Sequence, residues 1–410
     1  MEKYVITMLG EKDHGKSTLI GSMLIAMDAT TGDRIREAKR YSKNNRFEPA
    51  YILDSFYEER EKEMTIDTTR AEFAYNKSIY ELIDVPGHLE LIKNMMSGAS
   101  NAEIAILMVS LKKGEGFRPQ TKRHLFLSSM LGVKSLIVAV NKIDLVNYSE
   151  DEFSKMKENV GEYLKKIGFD RPVEYIPVSA YNRDNLISHS NKTKWYKGIT
   201  LLEAIEHSAR RMRKDSSRNR GLRAIIQDSM IDGKAATIFA YISSGTIKTN
   251  DSVHIEPFKT QVKIKELYVK GKRVKIAKEG SNISIRCNLN SNLIQRGGII
   301  YANSQKSAYS RSFNAKIFFI HGLLDRRSEI IMNLNNKKVE AIISDINGFT
   351  NPSNGNFKAF KNVKIVPNIV VDVKMSLKSP YPIERFSEYE SLGRFTLYSK
   401  DKFVGIGIVK

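Results

Sequence analysis

The sequence predicts an α/β domain followed by two all-β barrel domains. In residues 1–205, short apolar runs that resemble strands alternate with longer stretches that resemble helices. That alternation is typical of a mostly parallel sheet with helices on both faces. After residue 222 the apolar segments are short, alternate with polar residues and are separated by Gly, Asn and Asp turns, which favours β-barrels.

The predicted domain boundaries follow these changes of pattern. The stretch EHSARRMRKDSSRNRGLR carries seven Lys or Arg residues and few apolar ones, so it reads as a connector. A second junction lies in RGGIIYANSQKSAYSRS. We therefore predict an α/β domain over 1–207, a basic linker over 208–221, one barrel over 222–306 and another over 307–410. Ligands of such α/β sheets bind beyond the carboxyl ends of the strands, where the candidate site residues are sought.

The composition limits the class of protein. The chain has 410 residues, enough for two or three domains, and 41% of them are hydrophobic. It contains no apolar run of about 18 residues, the length expected of a membrane span, and its start lacks a signal-peptide pattern. A single cysteine, Cys287, excludes an intrachain disulfide. These features predict a cytoplasmic protein with no membrane partner.

The net charge of +20 and the pI of about 9.6 favour a polyanionic partner such as RNA. A general lysine bias of the source proteome would produce the same totals. The basic residues are spread along the chain, so the charge alone does not choose between these explanations.

A phosphate-binding loop is predicted in LGEKDHGKSTLIGSML. Gly10, Gly15, Lys16 and Ser17 fit the G-x-x-x-x-G-K-[ST] pattern between a predicted strand and a predicted helix. Loop N–H groups and the helix N-terminus attract anions, Lys16 would reach the β- and γ-phosphates, and Ser17 would bind Mg²⁺. The rest of the predicted phosphate set is Asp13, His14 and Thr18.

Two further segments complete the predicted phosphate end of the site. In DVPGH, Asp84 can hold Mg²⁺ through water, and the Gly87 N–H can sense the γ-phosphate. Thr65, in KEMTIDTT, lies between the phosphate loop and Asp84, where a loop could supply a second hydroxyl to Mg²⁺. The predicted metal ligands are thus Ser17, Thr65 and Asp84.

The segments NKID and VSA predict that the base is guanine. Asp144 can accept hydrogen bonds from guanine N1–H and the exocyclic amine, a pair that adenine does not offer. Asn141 and Lys142 would brace the base and the phosphate loop. The Ala180 N–H would donate to guanine O6, and Ser179 would support that loop. GTP or GDP with Mg²⁺ is therefore the expected ligand.

These motifs, together with KDHGKSTLIGSML, DVPGHLELIKNMMSGAS and KWYKGITLLEAI, resemble the translational GTPase superfamily. The resemblance covers most of the chain and is strongest for the branch that holds elongation factor 1-alpha and the GTPase subunit of sulfate adenylyltransferase. It implies a GTPase domain followed by two β-barrels, and His88 as the catalytic residue that positions the attacking water.

The sequence departs from the family pattern beside the phosphates. The family usually has an apolar residue where Lys12 stands, and Gly followed by Ile or Val where Glu63 and Met64 stand. The apolar residue helps to screen the catalytic histidine, so a lysine there bears on hydrolysis more than on binding.

Two functions from different classes fit this branch. One is a GTPase coupled to sulfate activation by a nucleotidyltransferase partner, which segments such as NRFEPAYILDSF, RHLFLSSMLGVK and RRSEIIMNLNNKKVEAIISDI resemble. The other is an elongation factor 1-alpha-like carrier of aminoacyl-tRNA to the ribosome, favoured by the charge and by SLGRFTLYSKDKFVGIGIV. A divergent paralogue with its own partner is a third. From the sequence we favour the sulfate-activation reading, with the elongation factor as the alternative.

Overall fold

The structure is a computed structural model. It describes residues 2–41, 47–53, 69–84, 103–216, 221–232, 235–289, 294–302, 309–322, 324–325, 327–335, 337–359 and 365–410. The chain divides into two compact units. The first comprises Met1–Ser217 with Pro352–Asn356, and the second comprises Arg218–Asn351 with Phe357–Lys410.

The first unit contains a six-stranded sheet of order β2-β3-β1-β4-β5-β6. Strands β3, β1, β4, β5 and β6 run parallel, whereas the edge strand β2 is antiparallel to β3. Strands β4 and β5 are buried along their whole length, as expected of a sheet covered on both faces. The strands are β1 Glu2–Leu9, β2 Thr69–Tyr75, β3 Ser78–Asp84, β4 Ile104–Ser110, β5 Ser135–Asn141 and β6 Val173–Pro177.

The described helices of this unit are α1 Lys16–Ala26, α2 Gly32–Tyr41, α3 Pro119–Met130, α4 Glu150–Lys166 and α5 Leu201–Ser216. Helix α4 begins at an N-cap, where the Ser149 side chain accepts from the Glu152 N–H. Apolar side chains of α1 and α5 join those of the sheet in one core.

Helix α5 corrects the predicted linker. It continues through residues 208–216, which the charge pattern assigned to a connector. Ile205, Ala209 and Met212 recur at helical spacing and are buried, whereas Arg210 and Arg213 face solvent. Arg210 and Arg213 thus lie on the outer side of an amphipathic helix, and the boundary predicted at 207 falls inside that helix.

The second unit begins with a domain built on an eight-stranded sheet of order β11-β10-β16-β7-β8-β15-β12-β13 and a two-stranded ribbon, β14-β9. Strand β8 alternates between half-buried and buried residues, and its buried side joins a single apolar core. The strands are β7 Arg223–Asp232, β8 Ala235–Ser244, β9 Thr246–Lys248, β10 Ser252–Glu256, β11 Thr260–Lys263, β12 Glu266–Val269, β13 Lys272–Arg273, β14 Ile276–Lys278, β15 Asn282–Asn288 and β16 Ile299–Ala302.

The last domain is a closed barrel. Its sheet has the order β18-β22-β23-β17-β21-β19-β20, and an additional pairing of β18 with β19 closes it. The strands are β17 Tyr309–Phe319, β18 Glu329–Leu334, β19 Lys337–Asn351, β20 Asn356–Ala359, β21 Val370–Pro382, β22 Arg394–Ser399 and β23 Lys402–Val409. The predicted fold class, an α/β domain followed by β-barrel domains, is confirmed. Within the described residues, no helix has the length and apolarity needed to cross a membrane.

Candidate functional site

The candidate site is a cleft of about 1060 Å³ in the first unit, at the carboxyl edge of its parallel strands. Strand β1 ends before the phosphate loop, β3 ends at Asp84, and β5 ends at Asn141. Parallel register places these ends side by side, with Met8 opposite Asp84 and Ser110 opposite Asn141. The predicted residues that line the cleft are Gly10, Asp13, Gly15, Lys16, Ser17, Thr18, Asp84, Asn141, Lys142, Asp144, Ser179 and Ala180.

The backbone of the phosphate loop has conformations that favour glycine. Gly10 has φ 139° and Gly15 has φ 92°. A Cβ at Gly10 would lie 2.8 Å from the Met108 carbonyl oxygen, and one at Gly15 would overlap the Asn141 amide nitrogen. Asp13 also has a positive φ, 71°. The two glycines therefore serve both the turn and the close approach of the loop to β4 and Asn141.

Lys16 and Ser17, at the start of α1, carry their side chains into the same end of the cleft. The Lys16 ammonium donates to the carbonyl oxygens of Gly10 and Glu11, at 3.2 and 3.0 Å. The Ser17 hydroxyl donates to Asp84 Oδ2 at 3.4 Å. A lysine, a hydroxyl and a carboxylate thus converge from two different elements. The hydroxyl and carboxylate are hard oxygen donors, the kind that Mg²⁺ prefers.

Asn141 connects two loops of the site. Its amide nitrogen donates to the His14 carbonyl oxygen at 2.8 Å, and its Oδ1 accepts from the Ala180 N–H at 2.9 Å. Asn141 is buried, so both bonds lie away from water. These two bonds hold the phosphate loop to the segment around Ala180, and the predicted bracing of the base stays a prediction. The Ala180 N–H, predicted to donate to guanine O6, is bonded to Asn141 in this structure, and its contact with the base stays a prediction.

Lys142 braces the loop through its charge. Its ammonium donates to the Asp13 carbonyl oxygen at 2.7 Å and to Glu115 Oε2 at 2.7 Å. Burial raises the pKa of the Glu115 carboxyl, but hydrogen bonds from Lys142, Ser110 and Lys112 outweigh it and lower that pKa to about 2. Glu115 is therefore ionised across the physiological range and holds Lys142 against the phosphate loop.

Asp144 lies in a short 3₁₀ turn, Ile143–Val146, directly after β5. Lys142 precedes it with φ 63°, and the Leu145 N–H closes the turn on the Lys142 carbonyl oxygen at 3.0 Å. The Asp144 carboxylate lines the cleft, is partly exposed, and makes no side-chain bond to any residue that the structure describes. Two carboxylate oxygens are thus available to a ligand in the cleft.

His14 differs from the other predicted phosphate residues. Its ring is buried, with 1% of the residue exposed, and Nδ1 lies 3.0 Å from the Met108 carbonyl oxygen on β4. Burial lowers the pKa of this imidazole, so the neutral form is favoured. The side chain anchors the loop to the sheet, and the phosphate contact predicted for His14 stays a prediction.

Three predicted residues, Thr65, Gly87 and His88, lie outside the residues that the structure describes. Their proposed roles at the γ-phosphate remain predictions. Other cleft residues were missed from the sequence: Lys12 was noted only as a departure, and Glu48, Ala50, Tyr51, Lys112, Gln120, His124, Leu145 and Tyr181 were not assigned.

Some of the missed residues carried a usable signal. Leu145 and Tyr181 directly follow the two base-recognition motifs. No signal in the sequence marks Glu48, because its role depends on a contact between residues distant in the chain. The Thr18 hydroxyl donates to Glu48 Oε1 at 3.0 Å. That bond ties the start of α1 to the segment 47–53.

Family models match both ends of the chain. The elongation factor Tu GTP binding domain matches residues 2–211, and the GTP-eEF1A C-terminal domain-like model matches residues 312–410. Elongation factor 1-alpha of Methanothermobacter thermautotrophicus is 30% identical, over 98% of this chain and 96% of that protein. The chain belongs to the elongation factor 1-alpha family. A second member, from Cenarchaeum symbiosum, is 32% identical over 98% of this chain and 94% of its own length.

A solved structure has a similar fold. The Saccharomyces cerevisiae Ski7 GTPase-like domain, bound to GTP, has a TM-score of 0.53 and 16% identity, and covers 100% of this chain and 97% of its own. As a member of the elongation factor 1-alpha family with this phosphate loop and cleft, the chain is a GTPase that binds guanine nucleotides. The sulfate-activation reading gains no support from these relatives, and the elongation factor alternative fits better.

Proposed function

We propose that this chain is a Mg²⁺-dependent GTPase switch of translation that delivers aminoacyl-tRNA to the ribosome in the cytoplasm. Two observations together carry the proposal: the geometry of the cleft, and relatives that match this chain along almost its whole length. The phosphate loop, Asp84, Asn141 and Asp144 meet at one edge of the sheet. The relatives that span the chain are elongation factors 1-alpha.

Base recognition is assigned to Asp144. Its two carboxylate oxygens can accept from guanine N1–H and the exocyclic amine, whereas adenine would leave them without those donors. Lys142 and Asn141 hold the surrounding loops and act by positioning. Leu145, with 57% of its surface exposed, and Tyr181 supply apolar surface beside the base.

Phosphate binding is assigned to the loop and the N-terminus of α1. Backbone N–H groups at a helix N-terminus attract anions, and Lys16 adds a mobile positive charge. Its partners in the structure are neutral carbonyl oxygens, so a phosphate oxygen would give it a stronger, charge-assisted bond. Ser17 and Asp84 would hold Mg²⁺, which supplies charge neutralisation at the phosphates.

For hydrolysis we keep His88 as the residue that orients the attacking water and Thr65 as a second hydroxyl for Mg²⁺. Phosphoryl transfer depends mostly on positioning and charge stabilisation, so one well-placed imidazole is sufficient protein chemistry at this step. Lys12 is exposed on the phosphate loop and lines the cleft. A positive charge there favours the developing charge of the transferred phosphoryl group.

The deciding experiment measures binding of the full chain to aminoacyl-tRNA and to the same tRNA without its amino acid, each with a non-hydrolysable GTP analogue and with GDP. A translation carrier binds aminoacyl-tRNA at least about tenfold more tightly with the GTP analogue, since only that state is the delivery form. Equal, weak binding of charged and uncharged tRNA in both nucleotide states would overturn the proposal. Salt is fixed at about 0.15 M, where exposed charges are screened beyond about 8 Å.

A further inference from the structure

Tyr148 is fixed to the turn that carries Asp144, although it does not itself line the cleft. Its N–H donates to the Ile143 carbonyl oxygen at 2.9 Å, at the start of that turn. Asn147 and Tyr148 have φ of 51° and 57°, left-handed conformations that few residues other than glycine adopt. Strained backbone of this kind persists only where surrounding contacts hold it, and it is frequent at functional sites. Any shift of Tyr148 is therefore passed to the short turn that carries Asp144.

The hydroxyl of Tyr148 connects this turn to the segment that follows β6. It donates to Asp184 Oδ2 at 2.9 Å and accepts from the Lys192 ammonium at 3.0 Å. The Asp184 side chain is 11% exposed and that of Lys192 is 54% exposed, so the bond between phenol and carboxylate is the shielded one. Burial raises the pKa of the Tyr148 phenol, which keeps the donated proton on the hydroxyl at neutral pH. A hydrogen bond to a carboxylate is stronger than one between neutral groups.

Asp184 in turn holds the loop that carries Ser179 and Ala180. The Asp184 N–H donates to the Ser179 carbonyl oxygen at 3.1 Å, and the Ser179 N–H donates to the Asp184 carbonyl oxygen at 3.4 Å. On the other side of this loop, the Ala180 N–H is bonded to Asn141, at the end of β5. The two segments assigned to the base are thus joined at two points, through Asn141 and through the pair of Tyr148 and Asp184.

We propose that Tyr148 is a positioning residue for guanine. Through Asp184 it fixes the distance between the Asp144 turn and the Ser179–Ala180 loop, and so sets the preference for a base that carries an exocyclic amine. The inference rests on the proposed function, in which Asp144 accepts from guanine N1–H and from that amine. One carboxylate aligns with both donors only when the base is held at one depth, because hydrogen bonds weaken steeply away from linear geometry. A base held by one donor loses the discrimination that the second donor gives.

A merely structural role for Tyr148 makes a different prediction. The Trp195 Nε1–H donates to the Tyr148 carbonyl oxygen at 2.9 Å, and Tyr148 directly precedes Ser149, the N-cap of α4. Tyr148→Phe retains both of these features and removes only the hydroxyl. If the hydroxyl served general stability, its loss would lower the affinity for every nucleotide by the same factor. The preference between two bases is therefore the measurement that separates the two roles.

The test measures the Kd of GDP and of IDP for the full chain with Mg²⁺, by competition against a fluorescent GDP derivative. The base of IDP is hypoxanthine, which keeps N1–H and lacks the exocyclic amine. The ratio of the two Kd values is independent of the folded fraction, because both nucleotides are measured on the same sample. The matched control is Tyr175→Phe, which removes a phenolic hydroxyl from β6 in the same unit. That hydroxyl makes no hydrogen bond to a residue that the structure describes.

The wild type is expected to prefer GDP over IDP by at least about tenfold, the worth of one hydrogen bond to a charged group. In Tyr148→Phe this preference is expected to fall by about threefold or more, whereas Tyr175→Phe keeps it within about 1.5-fold of the wild type. Equal weakening of GDP and IDP in Tyr148→Phe, with the ratio unchanged, would overturn the proposal.

A second variant tests whether Tyr148 acts through Asp184. Asp184→Ala removes the acceptor, so adding Tyr148→Phe to it should change the ratio by less than about 1.5-fold. A further loss as large as that in the wild-type background would mean that the phenol acts through another contact, and would also overturn the proposal.

The same measurements distinguish failure of this inference from failure of the proposed base recognition. If the wild type shows no preference for GDP over IDP, the assignment of the amine to Asp144 fails, and the role of Tyr148 fails with it. If the wild type shows the preference and Tyr148→Phe retains it in full, only the role of Tyr148 fails.

Discussion

At the residue scale, Gly15 is held by two separate constraints. Its φ of 92° disfavours any side chain, and a Cβ would overlap the Asn141 amide nitrogen. Gly114 has a similar φ of 84°, but a Cβ there would meet nothing within 4 Å. Comparing alanine substitutions at Gly15 and Gly114 therefore separates the cost of backbone strain from the cost of crowding inside the site.

Gly15→Ala is expected to lower the free energy of unfolding by about 1–3 kcal/mol more than Gly114→Ala does, because crowding adds to a shared backbone cost. It is also expected to weaken GTP binding by about tenfold or more, since Asn141 must move. Urea unfolding and calorimetric titration with GTP measure the two effects. Equal behaviour of the two variants would show that contact with Asn141 is not the constraint.

Residue identities in the site were largely predictable, since the phosphate loop, Asp84, Asn141, Lys142 and Asp144 follow from motif spacing. Partners were not. Nothing in the sequence shows that the Ala180 N–H is bonded to Asn141, or that the His14 ring is buried against β4. Such contacts join residues far apart in the chain, and only the fold sets their distances.

At the scale of elements, the ion pair between Lys142 and Glu115 links the end of β5 to the loop after β4. Burial opposes ionisation of Glu115, yet its hydrogen bonds lower its pKa from 4.5 to about 2. A carboxyl whose pKa is lower in the folded state stabilises the fold above its unfolded pKa. That stabilisation is lost as the pH falls from about 4.5 towards about 2.

Glu115→Gln is thus expected to be less stable than the wild type at about pH 7, with the difference shrinking as the pH approaches about 3. Glu158→Gln, which changes an exposed glutamate of α4, is the control and should show no such trend. Urea unfolding at a series of pH values measures both. A difference that is constant with pH would mean that Glu115 acts through packing rather than through its charge.

Helix α5 shows where prediction from sequence was limited at this scale. Its basic residues suggested a linker, but their spacing around Ile205, Ala209 and Met212 is that of an amphipathic helix. Charge counts describe which residues are solvated and do not indicate whether the backbone is helical. Periodicity would have extended the predicted helix beyond residue 207.

At the scale of the whole molecule, the two β domains of the second unit share a buried polar contact. Arg223 and Glu384 form an ion pair at 2.6 Å, with 6% and 4% of their side chains exposed. The Arg223 guanidinium lies 4.3 Å from the ring centres of both Tyr301 and Tyr389. Burial raises the pKa of Glu384 even though Arg223 opposes that rise. Such a pair fixes geometry more than it adds stability.

The fold class could be predicted from sequence, because strand and helix periodicity is local. Contacts between residues that are far apart in the sequence could not be predicted. The closure of the last barrel by β18 and β19 and the contact of Arg223 with Glu384 depend on tertiary structure.

The most direct test of the central claim, a guanine-specific nucleotide cleft, is competition binding of GTP, ATP and XTP to the wild type and to Asp144→Asn. The wild type is expected to prefer GTP over ATP by about 10⁴-fold, because adenine leaves the Asp144 carboxylate unpaired. Asp144→Asn should lose GTP and gain XTP, whose extra carbonyl accepts from the amide. Equal affinity of the wild type for ATP and GTP, or an unchanged GTP preference in Asp144→Asn, would contradict the account.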